Sequence, residues 1–147
     1  MKFTNPTREE IAERLRAVRT VAVLGLSPKP HRASYEVAAA LQSAGFRIVP
    51  VRPGGGTILG EPVAADLDAA GPVDLVDVFR ASEHVAGIVD DVIRLGLPAV
   101  WFQDGVVDEA AAERARAAGV FVVMDRCLAR DGLPSVRSTA GKDGNLR

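Results

Sequence analysis

A single cysteine, Cys127, stands in 147 residues. It rules out an internal disulfide and is what a chain working in a reducing compartment would carry. The two histidines, His31 and His84, lie far from each other and from Cys127 in sequence, so together they make a poor metal set. No apolar run approaches the ~18 residues needed to span a bilayer, and the polar first residues hold no apolar core of a secretory signal. A dominant charge is missing too. Eighteen Lys and Arg stand against nineteen Asp and Glu, giving a net charge of −1 and a pI of about 6.1. That balance argues against a general nucleic-acid binder and confines any basic site to a local patch. A cytoplasmic protein without membrane or nucleic-acid partners is expected.

What the chain does have is a core. With 48% hydrophobic and 25% charged residues, it should fold as one domain without disulfides or metal. A chain of this length buries roughly 70% of its unfolded surface. Thr7 and Glu10 have capping-box spacing, and Ile11, Leu15 and Val18 follow at helical intervals, so residues 1–19 are read as a helix packed across a sheet. Strands are expected at 20–24, 46–51, 73–79, 99–102 and 120–124, with a short extended piece near Pro62 and Val63. Between them lie a helix capped by Ser34 with Val37, Ala38 and Leu41 inward, and a turn at Leu67. A third helix is capped by Ser82, with Val85, Ile88, Val89, Val92 and Ile93 inward, and a fourth covers 108–118. Strand and helix alternate, which implies a doubly wound parallel sheet of Rossmann type. Its predicted order is 3-2-1-4-5-6 with a short third strand. The domain is expected over 20–130, followed by a polar tail over 131–147.

One stretch organises the rest: TVAVLGLSPKPHRASY, residues 20–35. A β-branched apolar run meets Gly25, passes a loop rich in proline and basic residues, and enters a helix. Free backbone N–H groups and a positive helix end then face one spot, which makes an anion site. Lys29, His31 and Arg32 add side-chain charge. In the predicted sheet, ligands sit where strand order reverses, between the first and fourth strands. Residues 25–32, 79–80 and 102–103 end there.

The nucleotide can be narrowed. A dinucleotide dehydrogenase would show G-x-G-x-x-G after its first strand and an acidic residue after its second. Here the loop holds one glycine, and the second strand runs into Arg52 and Pro53. An arginine at that place favours a ribose bearing a phosphate, as in NADP or in coenzyme A. The missing glycines favour coenzyme A.

Five segments in order carry a resemblance: VAVLGLSPKPHRASYEVA, VPVRPGGGTILGEPV, PVDLVDVFR, AVWFQDG and VVMDRC. The chain resembles the small stand-alone coenzyme A-binding proteins, whose domain is similar to that of the succinyl-CoA synthetase α subunit. The resemblance runs from Thr20 to about Leu128. It implies a Rossmann-type fold and coenzyme A held without chemistry. By that likeness Gly25, Leu26 and Ser27 lie against the pyrophosphate, with Lys29, Arg32 and Tyr35 in the phosphate-facing stretch that follows. Arg52 and Pro53 sit by the nucleotide, Phe79, Arg80 and His84 wall the adenine side, and Phe102 and Gln103 form the floor. Two departures stand out. The synthetases carry a lysine where this chain has Gly55, and residues 129–132 replace the Glu-His-Lys/Arg stretch that relatives often show.

Each sharp reading has a plainer one beside it. Lys29, Arg32 and Arg52 can be solvated surface charges, Arg80 can pair with a carboxylate, and His84 can cap or pack. Trp101 reads as core and Cys127 as a small packed side chain. The sharper idea for Cys127 is thiol exchange with coenzyme A, helped by Arg126. The carboxylates around 66–77 read as structural. With no catalytic constellation in view, the chain is expected not to be an enzyme. The rivals are an NADP-dependent oxidoreductase and a regulatory module for which coenzyme A is the signal.

Overall fold

A computed structural model describes residues 2–136. Five parallel strands form the sheet: β1 (Thr20–Leu24), β2 (Arg47–Val51), β5 (Leu75–Val78), β6 (Ala99–Phe102) and β7 (Phe121–Val123), in the order β2-β1-β5-β6-β7. Every neighbouring pair is parallel. The chain leaves β1 toward β2 on one side and returns to β5 on the other. That crossover beside β1 opens a crevice at the carboxyl ends of β1 and β5.

The strands are mostly apolar and rich in Val because both faces are covered. One face packs on α4 (Val85–Arg94) and α5 (Glu109–Ala117), through Val76, Val78, Val100, Phe102 and Val122. The other packs on α1 (Arg8–Arg16) and α2 (Ala33–Ser43), through Val21, Val23, Leu75, Trp101 and Val123. Each Val or Leu so buried contributes about 1.5–3 kcal/mol. The α1 capping box is formed: the Glu10 N–H donates to Thr7 Oγ1, and the Thr7 N–H donates to Glu10 Oε1.

The expected third strand is reduced to a single parallel bridge between Val51 and Ala64. The chain before it folds on itself as a hairpin, β3 (Thr57–Ile58) against β4 (Glu61–Pro62). Leu59 and Gly60 both take positive φ at its turn, which matches the twist of a two-residue hairpin. A four-residue helix, α3 (Leu67–Ala70), follows with Asp66 as its cap.

Two expected caps are not formed. Ser34 turns away from the start of α2, and its Oγ accepts the Ser27 N–H at 3.0 Å. Ser82 sits in a 3-10 turn before α4, where its hydroxyl donates to Gly105 O and accepts from the Val107 N–H. The tail boundary also moves. Leu128 and Leu133 are fully buried, and Gly132 is packed against Leu15 and Trp101, so the chain belongs to the core beyond residue 131. Residues 137–147 of the expected tail lie outside the described residues. At the far edge of the sheet, Asn5 Nδ2 donates to Met124 O while Asn5 Oδ1 accepts the Met124 N–H.

Gly25 is the residue that shapes the crevice. Its φ is +86°, its N–H donates to Val51 O, and a Cβ there would lie 2.4 Å from the Phe79 carbonyl oxygen. Gly45 also has positive φ (+99°) but nothing within 4 Å of such a Cβ. Gly45→Ala should therefore cost only the backbone strain, about 1 kcal/mol. Gly25→Ala should cost about 2–3 kcal/mol or more, since the strand ends must also part. Urea unfolding of both variants checks the difference.

Candidate functional site

Two hollows meet at the crossover. One, of about 490 Å³, is lined by Gly25, Ser27, Lys29, Arg32, Arg52 and Phe79 among others. The other, of about 560 Å³, is lined by Arg52, Pro53, Arg80, His84, Ile88 and Asp91 among others. Arg52 belongs to both. It comes directly off the end of β2, and its Nη1 reaches Leu26 O at 3.4 Å.

Lys29, Arg32, Arg52 and Arg80 have no carboxylate partner among the described residues. Elsewhere Arg94 pairs with Asp68 and Asp91, Arg114 with Asp90, Arg116 with Glu113, and Arg130 with Asp104 and Asp131. Unpaired cations around a concave surface attract an anion. The start of α2 adds to this, because Arg32 at the cap position makes no side-chain hydrogen bond to the first turn. By contrast α1, α3 and α5 are closed by Thr7, Asp66 and Asp108. With no side-chain cap, the start of this eleven-residue helix, at Ala33 and Ser34, lines the smaller hollow.

Nine of the thirteen expected site residues line these hollows: Gly25, Ser27, Lys29, Arg32, Arg52, Pro53, Phe79, Arg80 and His84. Four do not. The Leu26 side chain is fully buried in the core, and only its backbone faces the corner. Tyr35 packs against the same core cluster, because the first turn of α2 rotates it inward beside Ser34. Phe102 is fully buried on the α4–α5 face. Gln103 is buried and donates its amide to Asp77 Oδ1. His31 stays exposed in the loop. His84 lies 3.4 Å from Arg80, nitrogen to nitrogen. The Cys127 N–H donates to Asp131 Oδ2, and Arg126 donates to Asp125 O. No group of three or more His, Cys, Asp or Glu is placed to hold a metal among the described residues.

Of the carboxylates around 66–77, Asp66 caps α3, Asp68 pairs with Arg94, and Asp74 accepts the Arg19 and Thr20 N–H groups. Asp77 is different. It is fully buried in β5, only Gln103 bonds to it, and its Oδ2 has no partner. Burial pushes its carboxyl from an ordinary 3.8 up to about 7, against a smaller opposing effect of the Gln103 hydrogen bond. A charge-bearing residue within the apolar run LVDV was the signal for it in the sequence.

A parallel sheet whose crossover is an open helix start ringed by unpaired cations defines a Rossmann-type domain with an anion-receptive crevice. The chain belongs to the CoA-binding domain family, whose model matches residues 19–132. It is 38% identical over 125 residues to the protein YneT of Bacillus subtilis, a match covering 84% of this chain and 93% of that one. Among solved structures, ID.343 from Thermus thermophilus is 32% identical with a TM-score of 0.82, over 88% of this chain and 99% of that one. A dinucleotide-forming acetyl-coenzyme A synthetase from Ca. Korarchaeum cryptofilum shares the fold at 20% identity and a TM-score of 0.64. That match covers 80% of this chain and 30% of the synthetase.

The raised carboxyl of Asp77 has a consequence for stability. Between about pH 4 and pH 7 the folded chain keeps a proton that the unfolded chain has released. Its contribution is fully present below about pH 4 and is lost as pH rises through 7. The Arg130-paired Asp104 and Asp131 are held below the usual carboxylate range, so their effect falls at lower pH. Denaturant midpoints should therefore decline from pH 5 to 8, and Asp77→Asn should flatten that decline.

Proposed function

We propose that this chain binds coenzyme A, or an acyl thioester of it, through the 3′-phospho-ADP part, and holds it without chemical change. The observation that carries the reading is Arg52, unpaired and shared by both hollows. The backbone at residues 25–27 and the open start of α2 take the pyrophosphate, with Lys29 and Arg32 neutralising its charge. Arg52 meets the ribose 3′-phosphate between the hollows. Pro53, Arg80, His84 and Ile88 line the space for the adenine. Family membership supports the ligand class.

Arg52 would also accept the 2′-phosphate of NADP, so both cofactors belong in one experiment. A charge-assisted bond to a phosphate contributes about 1.5–3 kcal/mol, or roughly 10- to 100-fold in affinity. Calorimetry should rank coenzyme A above dephospho-CoA by that factor, and above NADP and NAD. Arg52→Gln should remove most of the difference while leaving dephospho-CoA binding nearly unchanged. Equal affinity for coenzyme A and dephospho-CoA in the unaltered chain would refute the 3′-phosphate contact, and tighter binding of NADP would favour the oxidoreductase instead. Whether the ligand acts as a signal is read by a pull-down with and without coenzyme A.

A further inference from the structure

Asp77 is the one fully buried ionisable side chain among the described residues. It lies in register with Val23 of β1, two residues before Gly25, and two residues before Phe79 on its own strand. About 7 Å of strand therefore separates it from the corner where Gly25 meets the Phe79 carbonyl. The side chains packed on its face of the sheet are mostly apolar, and a buried pair of charges there is screened less than one in solvent.

Its surroundings offer an ionised carboxylate little compensation. Val23 and Trp101 flank it on the neighbouring strands, and the layer above that face is made of residues such as Leu15, Val37 and Leu128. The Trp101 indole N–H is committed to Arg126 O. The titratable groups bordering this layer are Tyr35 and Cys127. Arg130, on the segment Leu128–Gly132, is paired with both Asp131 and Asp104. At the cleft the charged and titratable groups are Lys29, Arg32, Arg52, Arg80 and His84, with Asp66, Asp90 and Asp91 on the larger hollow. None of these makes a hydrogen bond or ion pair with Asp77, and Gln103 satisfies only Oδ1.

We propose that Asp77 couples anion capture at the corner to proton uptake, the site binding tightly when this carboxyl is neutral and more weakly when it is ionised. The inference rests on the reading of the corner as an anion site. A ligand phosphate and an ionised Asp77 repel through the core, while a neutral Asp77 does not. Linkage makes the effect reciprocal, so the bound anion draws a proton onto Asp77. Burial already brings this carboxyl to about 7, where a modest field shifts its occupancy.

Calorimetry with coenzyme A tests this, run from pH 6 to 8 and, at pH 7, in two buffers of different ionisation heat. The ligand's own phosphate monoester titrates in this range, and comparison with Asp77→Asn cancels it. The unaltered chain should lose about tenfold more affinity across that range than the variant. It should also take up a larger fraction of a proton on binding. Identical pH profiles and proton counts would overturn the proposal while leaving the reading of the cleft intact. If coenzyme A binds neither protein, both readings fall. Should the variant not fold, difference infrared spectroscopy of the unaltered chain with labelled aspartate gives the answer directly. The protonated carboxyl band should grow when coenzyme A is added at pH 7.5, and an unchanged band overturns the proposal.

Discussion

The contact between Gly25 and the carbonyl of Phe79 is the constraint on which the rest depends. Two parallel strands run side by side and then must part so that a ligand can approach the backbone between them. They stay close through the hydrogen bond from the Phe79 N–H to Leu24 O. Only a residue without a side chain can turn at that distance. From that turn follow the direction of the basic loop, the start of α2 beside it, and the emergence of Arg80 on the other side.

Charge is distributed over the molecule with a clear division of labour. Arginines on the helices at the α4–α5 face are tied to carboxylates, which keeps them at fixed places on the surface. Those at the crossover are left with capacity to spare. The Ser34 hydroxyl closes the loop onto Ser27, while Arg32 at the cap position gives the helix start no side-chain hydrogen bond.

The sheet was legible because strands buried on both faces are written as short, mostly apolar runs rich in Val, and five of them alternate with helical patterns. Side-chain destinations were less so. Ser34 and Ser82 each stand near a helix start, and a hydroxyl there can serve the helix or a neighbouring loop; only the tertiary arrangement decides. Phe102 and Gln103 end a strand beside the crevice, but alternation sends one into each buried layer. Lys29, Arg32 and Arg52 could be placed because a strand end and a helix start locate them without knowledge of packing. The third strand faded because a glycine-rich stretch paired locally with itself in preference to the sheet.

The paired hydrogen bonds between Asn5 and Met124 have a consequence for how copies of this chain meet. One side-chain amide supplies both a donor and an acceptor to the backbone just past β7, the outermost strand on that side. It does there what a neighbouring strand would do. A second strand pairing at that point would first have to displace the Asn5 side chain, which guards the margin there against lateral addition.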